Sequence, residues 1–275
     1  MQQKVKKALS GIWRLIKNPY LLNHVLDEEA YWRKKVNGKH GFSNGLPLMN
    51  IAELFPGFSQ VVSPYAFLDG SCTPLDLALL RALAEKYQVA DYLEIGTWRG
   101  ESVANVAPLV QRAISINLPD AVMRDMGMDE DYIGLHRYFS KDISHVTHIQ
   151  ADSLRFDFGS LGRKFDMVFV DGDHHYEAVR SDTANVVSVL KDPGVIIWHD
   201  YARNPEQVRW SVLAGILDGL PVEMRKKVYH VSNTLCAIYL PELPDGVRLQ
   251  QFSANRPPDK YFEVSVDVKK MKNEK

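Results

Sequence analysis

The sequence predicts an α/β fold: a doubly wound, mostly parallel sheet with a C-terminal antiparallel hairpin, preceded by an N-terminal helical cap. Three observations predict it. Short β-type runs at Asp91–Ile95, Ala113–Asn117, Val146–Gln150, Phe165–Val170 and Gly194–His199 alternate with helical stretches, and parallel strands require such crossovers. The longest apolar runs, Met167–Val170 and Val195–Trp198, are strand-sized, as befits a parallel sheet buried on both faces. Near the end, Lys227–Val231 and Leu235–Leu240 flank Ser232-Asn233-Thr234, a hairpin signal.

The elements follow in chain order. Residues 4–17 carry Val5, Leu9, Ile12, Trp13 and Ile16 at helical spacing, with Lys and Arg between them, so a helix there has one oily and one cationic face. The commoner fate of such a helix is packing on its own domain or across a homodimer interface. The absence of any acidic residue before Asp27 keeps peripheral membrane contact open. From Gly38 to Gly70 the chain is rich in Gly, Pro, Asn and Ser around a short apolar segment, which reads as connector loops. Thr73-Pro74-Leu75-Asp76 then supplies an N-cap hydroxyl, a proline at the first helical position and an acid in the first turn, and Leu77, Leu80 and Leu83 recur at helical spacing to about Tyr87. A further helix is expected near Glu206–Leu217, and Arg256–Lys275 reads as a frayed tail. The implied organisation is a cap over 1–70, a core over 71–243 and an extension over 244–275.

Composition excludes several classes. The 275 residues contain 33 Lys+Arg against 34 Asp+Glu, a net charge of −1, and 45% hydrophobic residues. That balance lacks the electrostatic footprint of a nucleic-acid binder. The two cysteines, Cys72 and Cys236, are too far apart for a disulfide framework or a CxxC metal site. No apolar run approaches the roughly 20 residues that span a bilayer, and no cleavage site follows the basic N-terminus. Cytoplasmic location is the expectation.

The residues able to carry chemistry cluster after the strands. Tyr92-Leu93-Glu94-Ile95 runs into Gly96-Thr97-Trp98-Arg99-Gly100-Glu101-Ser102, where two glycines let the backbone turn tightly and approach a ligand. A dinucleotide fingerprint would need a middle glycine where Trp98 stands, which makes a nicotinamide dehydrogenase a distant reading. Further on come Gln150-Ala151-Asp152-Ser153, the stretch Phe165–His174 containing Asp171-Gly172-Asp173-His174, and Gly194–Tyr201 ending in His199-Asp200-Tyr201. Together, over about Ser71 to Pro241, these motifs resemble the class I S-adenosylmethionine-dependent methyltransferases, which have a Rossmann-like fold. The DGDHHY and HDY stretches are similar to those of the small-molecule and sugar O-methyltransferase branch.

The resemblance implies S-adenosylmethionine as cofactor and a small hydroxylated acceptor, such as a sugar or other polar metabolite. Glu94, Gly96 and Gly100, with Thr97 and Ser102 in the same loop, would hold the methionine portion, whose positive groups favour carboxylates. Asp152 would bond the adenine amino group with Ser153 beside it. Asn117 stands where the family usually has an acid for the ribose hydroxyls, and it accepts only through one carbonyl oxygen; a plain turn residue is the alternative. Asp171 and Asp200 would be ligands for a divalent metal, Mg2+ by their hard oxygens, and His174 would be the general base, with adjacent His175 the competing imidazole. Tyr201 follows Asp200 where related enzymes place an amide ligand, so His199 or water would complete the metal shell. The remaining class is a non-catalytic S-adenosylmethionine-binding or sensing protein. The stretch Leu118–His145, with Met123, Met126, Met128, Tyr132 and Phe139, is either an acceptor wall or, preferably, the core side of a crossover.

Overall fold

A computed structural model describes residues 2–18, 28–252 and 257–270. Its elements in order are α1 (Gln2–Lys17), α2 (Glu28–His40), β1 (Leu48–Met49), α3 (Ile51–Leu54), α4 (Pro74–Lys86), β2 (Asp91–Ile95), α5 (Glu101–Val106), β3 (Arg112–Asn117), α6 (Asp120–Asp125), α7 (Glu130–Leu135), β4 (Val146–Gln150), β5 (Phe165–Val170), α8 (Tyr176–Val189), β6 (Leu190–Trp198), β7 (Ala202–Asn204), β8 (Gln207–Val208), α9 (Trp210–Gly219), β9 (Val228–Val231), β10 (Ala237–Tyr239) and β11 (Leu249–Gln250).

The sheet order is β11-β1-β9-β10-β6-β5-β2-β3-β4. Strands β2 to β6 are mutually parallel. Because β2 leads to β3 on one side while its other neighbour, β5, leads on to β6, the strand order reverses between β2 and β5. The crevice at the carboxyl ends of those two strands is where such sheets bind ligands. The predicted hairpin forms as β9 and β10, antiparallel to each other, with β10 also antiparallel to β6. Two short strands lie outside the sequence reading: β1 pairs parallel with β9, and β11 antiparallel with β1. Two-residue strands carry no readable periodicity, and the sheet therefore runs across the sequence boundaries drawn at 70 and 243.

Strand side chains alternate into two cores. Leu93, Ile95, Val168, Val170, Ile196 and Trp198 pack with residues of α8 and α9, including Val179, Val186, Leu213 and Leu217. Tyr92, Met167, Phe169, Val195 and Ile197 pack with Leu79, Leu80 and Leu83 of α4. The expected helix near Glu206–Leu217 begins later. Asn204 Oδ1 accepts from the Glu206 amide at 3.0 Å, closing the turn of the β7–β8 hairpin, and α9 starts only at Trp210. The expectation that α1 packs on its own domain is not met: Val5, Leu9, Ile12, Trp13 and Ile16 are each more than half exposed. Residues 257–270 carry no helix or strand, and the rest of the predicted tail lies outside the described residues.

Thr73 caps α4 as its sequence predicts. The Asp76 amide donates to Thr73 Oγ1 at 3.3 Å, and Asp76 Oδ2 accepts from the Thr73 amide at 2.9 Å. Thr73→Ala should lower unfolding free energy by about 1 kcal/mol, measured by chemical denaturation; an unchanged midpoint would show that the cap contributes nothing.

Candidate active site

Backbone bonds continue past the strand ends and set the site residues in rank. The Gly96 amide donates to Ile116 O at 2.9 Å, that of Asp171 to Ile95 O at 2.8 Å, and that of His199 to Val170 O at 3.0 Å. Gly96, Asp171 and His199 therefore follow β2, β5 and β6 side by side. Gly96 has φ of 88°, and a Cβ there would collide with the backbone of Asp171 and Gly172. Gly100, at φ 79°, precedes α5, and a Cβ on it would run into Ser140. These are positions that only glycine fills without strain.

Glu94 organises the loop from below. It is fully buried, and its carboxyl accepts from Tyr92 Oη at 2.6 Å, Ser102 Oγ at 2.8 Å and Thr97 Oγ1 at 3.2 Å. Burial drives its pKa up to about 8, aided by the charge of Asp171 and only partly offset by the three hydroxyls. Thr97 is joined to β3 through its hydroxyl contact with Ser115 and by its amide, which donates to Asn117 Oδ1 at 3.3 Å. Asn117's one acceptor oxygen is thus engaged in shaping the loop. Asp152 forms a local turn, Oδ1 accepting from the Leu154 amide at 3.0 Å, and Ser153 lies near Asp182 of α8, where it favours the ionised carboxyl. Asp182 is buried, and burial raises its pKa to about 6. It lies beneath Gly172, whose ideal Cβ would sit 3.6 Å from Asp182 Oδ2.

Two segments clamp the glycine loop from outside. Trp98 stacks on Tyr132 with ring centroids 4.2 Å apart, and the Arg137 and Phe139 amides donate to Trp98 O and Arg99 O, each at 2.8 Å. Of the crossover residues, Met123 is buried while Met126 is 64% exposed, so the segment is partly core and partly surface. On the other side, buried Arg99 donates to Asp69 O at 2.9 Å, and Glu101 accepts from the Ala66 amide at 2.6 Å and from Ser71 Oγ. Arg99 and Glu101 tie residues 66–71 to the loop.

At the ends of β5 and β6 the polar groups converge. His199, with its side chain 8% exposed, has Nδ1 2.9 Å from Asp171 Oδ1 and 3.8 Å from Asp200 Oδ2, while Nε2 is 3.4 Å from buried Asp76 Oδ2. Burial works against a charged His199, but contacts with Cys72, Asp171 and Asp200 raise its pKa well above the usual imidazole value. Burial likewise opposes ionisation of Asp200, yet His199, Arg209 and His174 outweigh it and hold the carboxyl at about 2. His174 Nδ1 lies 3.9 Å from Asp200 Oδ2, and its ring is half-exposed. Burial of the other half, with the nearby Arg209 charge, lowers the His174 pKa, so its imidazole is neutral at pH 7. His175 stacks on His174 but turns its Nδ1 to Asp173 at the surface. Of the two adjacent imidazoles, His174 is the one beside Asp200.

The residues here fit the divalent ion of the sequence reading only in part: Asp200 is not among the donor atoms that converge, and His199, which its neighbours keep protonated, must lose a proton before Nδ1 can bind a metal. His199 Nδ1 is buried and, although close to Asp171, is not aligned with any hydrogen-bond partner. Cys72 Sγ, 3.3 Å from Asp171 Oδ2, belongs to the same cluster, in which Cys72, Asp171 and His199 offer donor atoms within 4.8 Å of one another. The set contains a thiol and an imidazole and is therefore softer than an all-oxygen magnesium site. Tyr201 takes no part: it is fully buried, and its hydroxyl accepts from the Leu46 amide at 2.9 Å.

Sequence reasoning missed Asp76, Arg99, Glu101 and Asp182, and it treated His199 only as a substitute ligand. Their contacts span many residues of chain and carry no local signature.

Comparison with known proteins bears on the same stretch. Residues 93–201 match the family model described as a methyltransferase domain. An uncharacterized protein, R132, of Acanthamoeba polyphaga mimivirus is 25% identical over 142 residues, which is 50% of this chain and 62% of that protein. The chain thus spans less than two thirds of this relative's length. Among solved structures, the O-methyltransferase TomG of Streptomyces achromogenes, in complex with SAM, is 18% identical with TM-score 0.44, covering 62% of this chain and 82% of that one. An O-methyltransferase from Bacillus cereus in complex with SAH is 14% identical with TM-score 0.46, covering 68% and 96%.

The raised pKa of Glu94 has a signed consequence. The folded state keeps a proton that the unfolded chain releases above about 4.5, so the ligand-free protein loses stability as pH rises from there to about 8. Glu94→Gln should flatten the decline of the thermal midpoint across that window; an unchanged slope would contradict the assignment. The stretch from Leu93 to Tyr201, which carries Glu94, Asp171, His174, His199 and Asp200, is similar throughout to a methyltransferase domain.

Proposed function

We propose that the chain is an S-adenosylmethionine-dependent methyltransferase that O-methylates a small hydroxylated acceptor, a sugar or similar polar metabolite, in the cytoplasm. Residues 71–243 would form its catalytic core. The observation that carries this reading is the half-exposed His174 imidazole beside Asp200, at the strand ends that also hold the glycine loop and Asp171. The methyltransferase-domain match over residues 93–201 supports it.

S-adenosylmethionine would supply a methyl carbon made electrophilic by its sulfonium. Gly96 and Gly100 let the loop pack against the Asp171–Gly172 backbone and Ser140, and Glu94 holds that loop's shape through Thr97 and Ser102. Asp152 and Ser153 end the neighbouring strand on the adenine side, with Asn117 between them and the loop. Alcohols are weak nucleophiles while protonated, so His174 takes the acceptor's proton as the new O–C bond forms and the methyl C–S bond breaks, leaving S-adenosylhomocysteine. Asp200, ionised beside His174 Nδ1, stabilises the imidazolium that results. Asp171 and Asp200 would hold a divalent ion, with His199 Nδ1 the adjacent buried donor. Such an ion, Mg2+ in the sequence reading, would polarise the acceptor hydroxyl.

His174→Ala should bind S-adenosylhomocysteine as the parent does but lose about 10²- to 10⁴-fold in turnover. Because the His174 pKa is lowered, the parent's activity should fall on the acid side only below about pH 6.5, the usual imidazole value. Unchanged turnover would remove His174 from the mechanism and favour a cofactor-sensing protein. Excess chelator should abolish activity and readdition of a divalent ion restore it; full activity in chelator would remove the ion from the proposal.

A further inference from the structure

Helix α1 has no role in the methyltransferase reading. Val5, Leu9, Ile12, Trp13 and Ile16 recur at helical spacing on one face, and they are 54, 62, 55, 58 and 72% exposed. Lys4, Lys6, Lys7, Arg14 and Lys17 occupy the remaining arc, with no acidic residue in the helix. Lys17 Nζ lies 3.9 Å over the Trp13 ring, at the border of the two faces. Five cations thus sit in one helix of a chain whose net charge is −1.

That combination discriminates among occupants. Isologous pairing of two α1 helices would bury the apolar faces but leave the cationic arcs on the outside with no acidic residue of either helix to pair with. An anionic bilayer surface satisfies both halves at once, because its acyl boundary takes the apolar stripe and its headgroups the lysines. Spanning is excluded by length and charge: no helix among the described residues is long and apolar enough to cross a membrane. We propose that α1 is an interfacial anchor that lays the chain on a bilayer surface rich in anionic lipid, independently of what the catalytic site does.

The test is flotation of the full-length protein with vesicles of phosphatidylcholine alone or of phosphatidylcholine mixed with phosphatidylserine. Flotation is expected with the mixed vesicles only and should weaken as salt rises. Lys6→Gln and Lys7→Gln should each lower partitioning about fivefold, and Ile12→Asp should abolish it. The thermal midpoints of these variants should stay at the parent value, since the side chains touched are exposed. Absence of flotation with mixed vesicles would overturn the proposal, as would binding that survives Ile12→Asp. A lipid-independent dimer that Ile12→Asp dissolves, without flotation of the parent, would overturn it in favour of a second copy.

Discussion

The carboxylate of Asp76, wholly removed from solvent, joins three parts of the chain that are far apart in sequence. Its oxygens accept from the Thr73 amide and hydroxyl at the start of α4, from the Leu235 amide at the β9–β10 turn at 2.8 Å, and face His199 Nε2 after β6 at 3.4 Å. Burial alone would drive its proton back on, but His199, Thr73 and Leu235 overcome that and keep the pKa low. An unpaired charge in such a place is strongly destabilising, at about 3–5 kcal/mol when one partner is removed. The imidazole of His199 is therefore fixed between Asp76 on one nitrogen and Asp171 on the other.

This chain of contacts separates structural from chemical duties at one sheet edge. His199 is enclosed and oriented by carboxylates, whereas His174 stands half-exposed with only a distant carboxylate beside it. A proton acceptor must meet its substrate, and of these two imidazoles only His174 is placed to do so. The glycine loop is held firmly as well: Glu94, Arg99 and Glu101 are buried and tie it from within, while Gly96 and Gly100 let it pack against the Asp171–Gly172 backbone and Ser140. A loop so rigidly held suits a reaction that depends mainly on positioning.

Much of this was legible in the sequence because it is local. The five parallel strands, the α4 cap at Thr73 and the β9–β10 hairpin are each set by a short run of residues, and each stands within a few positions of where its pattern puts it. Gly96 and Gly100 announced a tight loop, and Asp171, His174 and Asp200 come together at neighbouring strand ends. The illegible parts depend on distance. Asp76 reads as an ordinary first-turn acid until the fold brings residues 199 and 235 to it. Arg99 reads as a surface residue of a loop, yet it is buried against the carbonyls of residues 68 and 69. Asn117 was judged against a ligand contact, whereas its oxygen serves the Thr97 amide. Strand β8 falls inside the helix expected over Glu206–Leu217 because two residues are too few to establish a period of two.

The central claim is that the strand-end crevice between β2 and β5 binds S-adenosylmethionine. Its most direct test is the thermal midpoint of the purified chain with S-adenosylhomocysteine, with NAD as the comparison. At 100 times its dissociation constant a ligand stabilises by about 2.7 kcal/mol, a shift readily measured. The account predicts a rise with S-adenosylhomocysteine and none with NAD. No rise at saturating S-adenosylhomocysteine, or an equal rise with NAD, would contradict it.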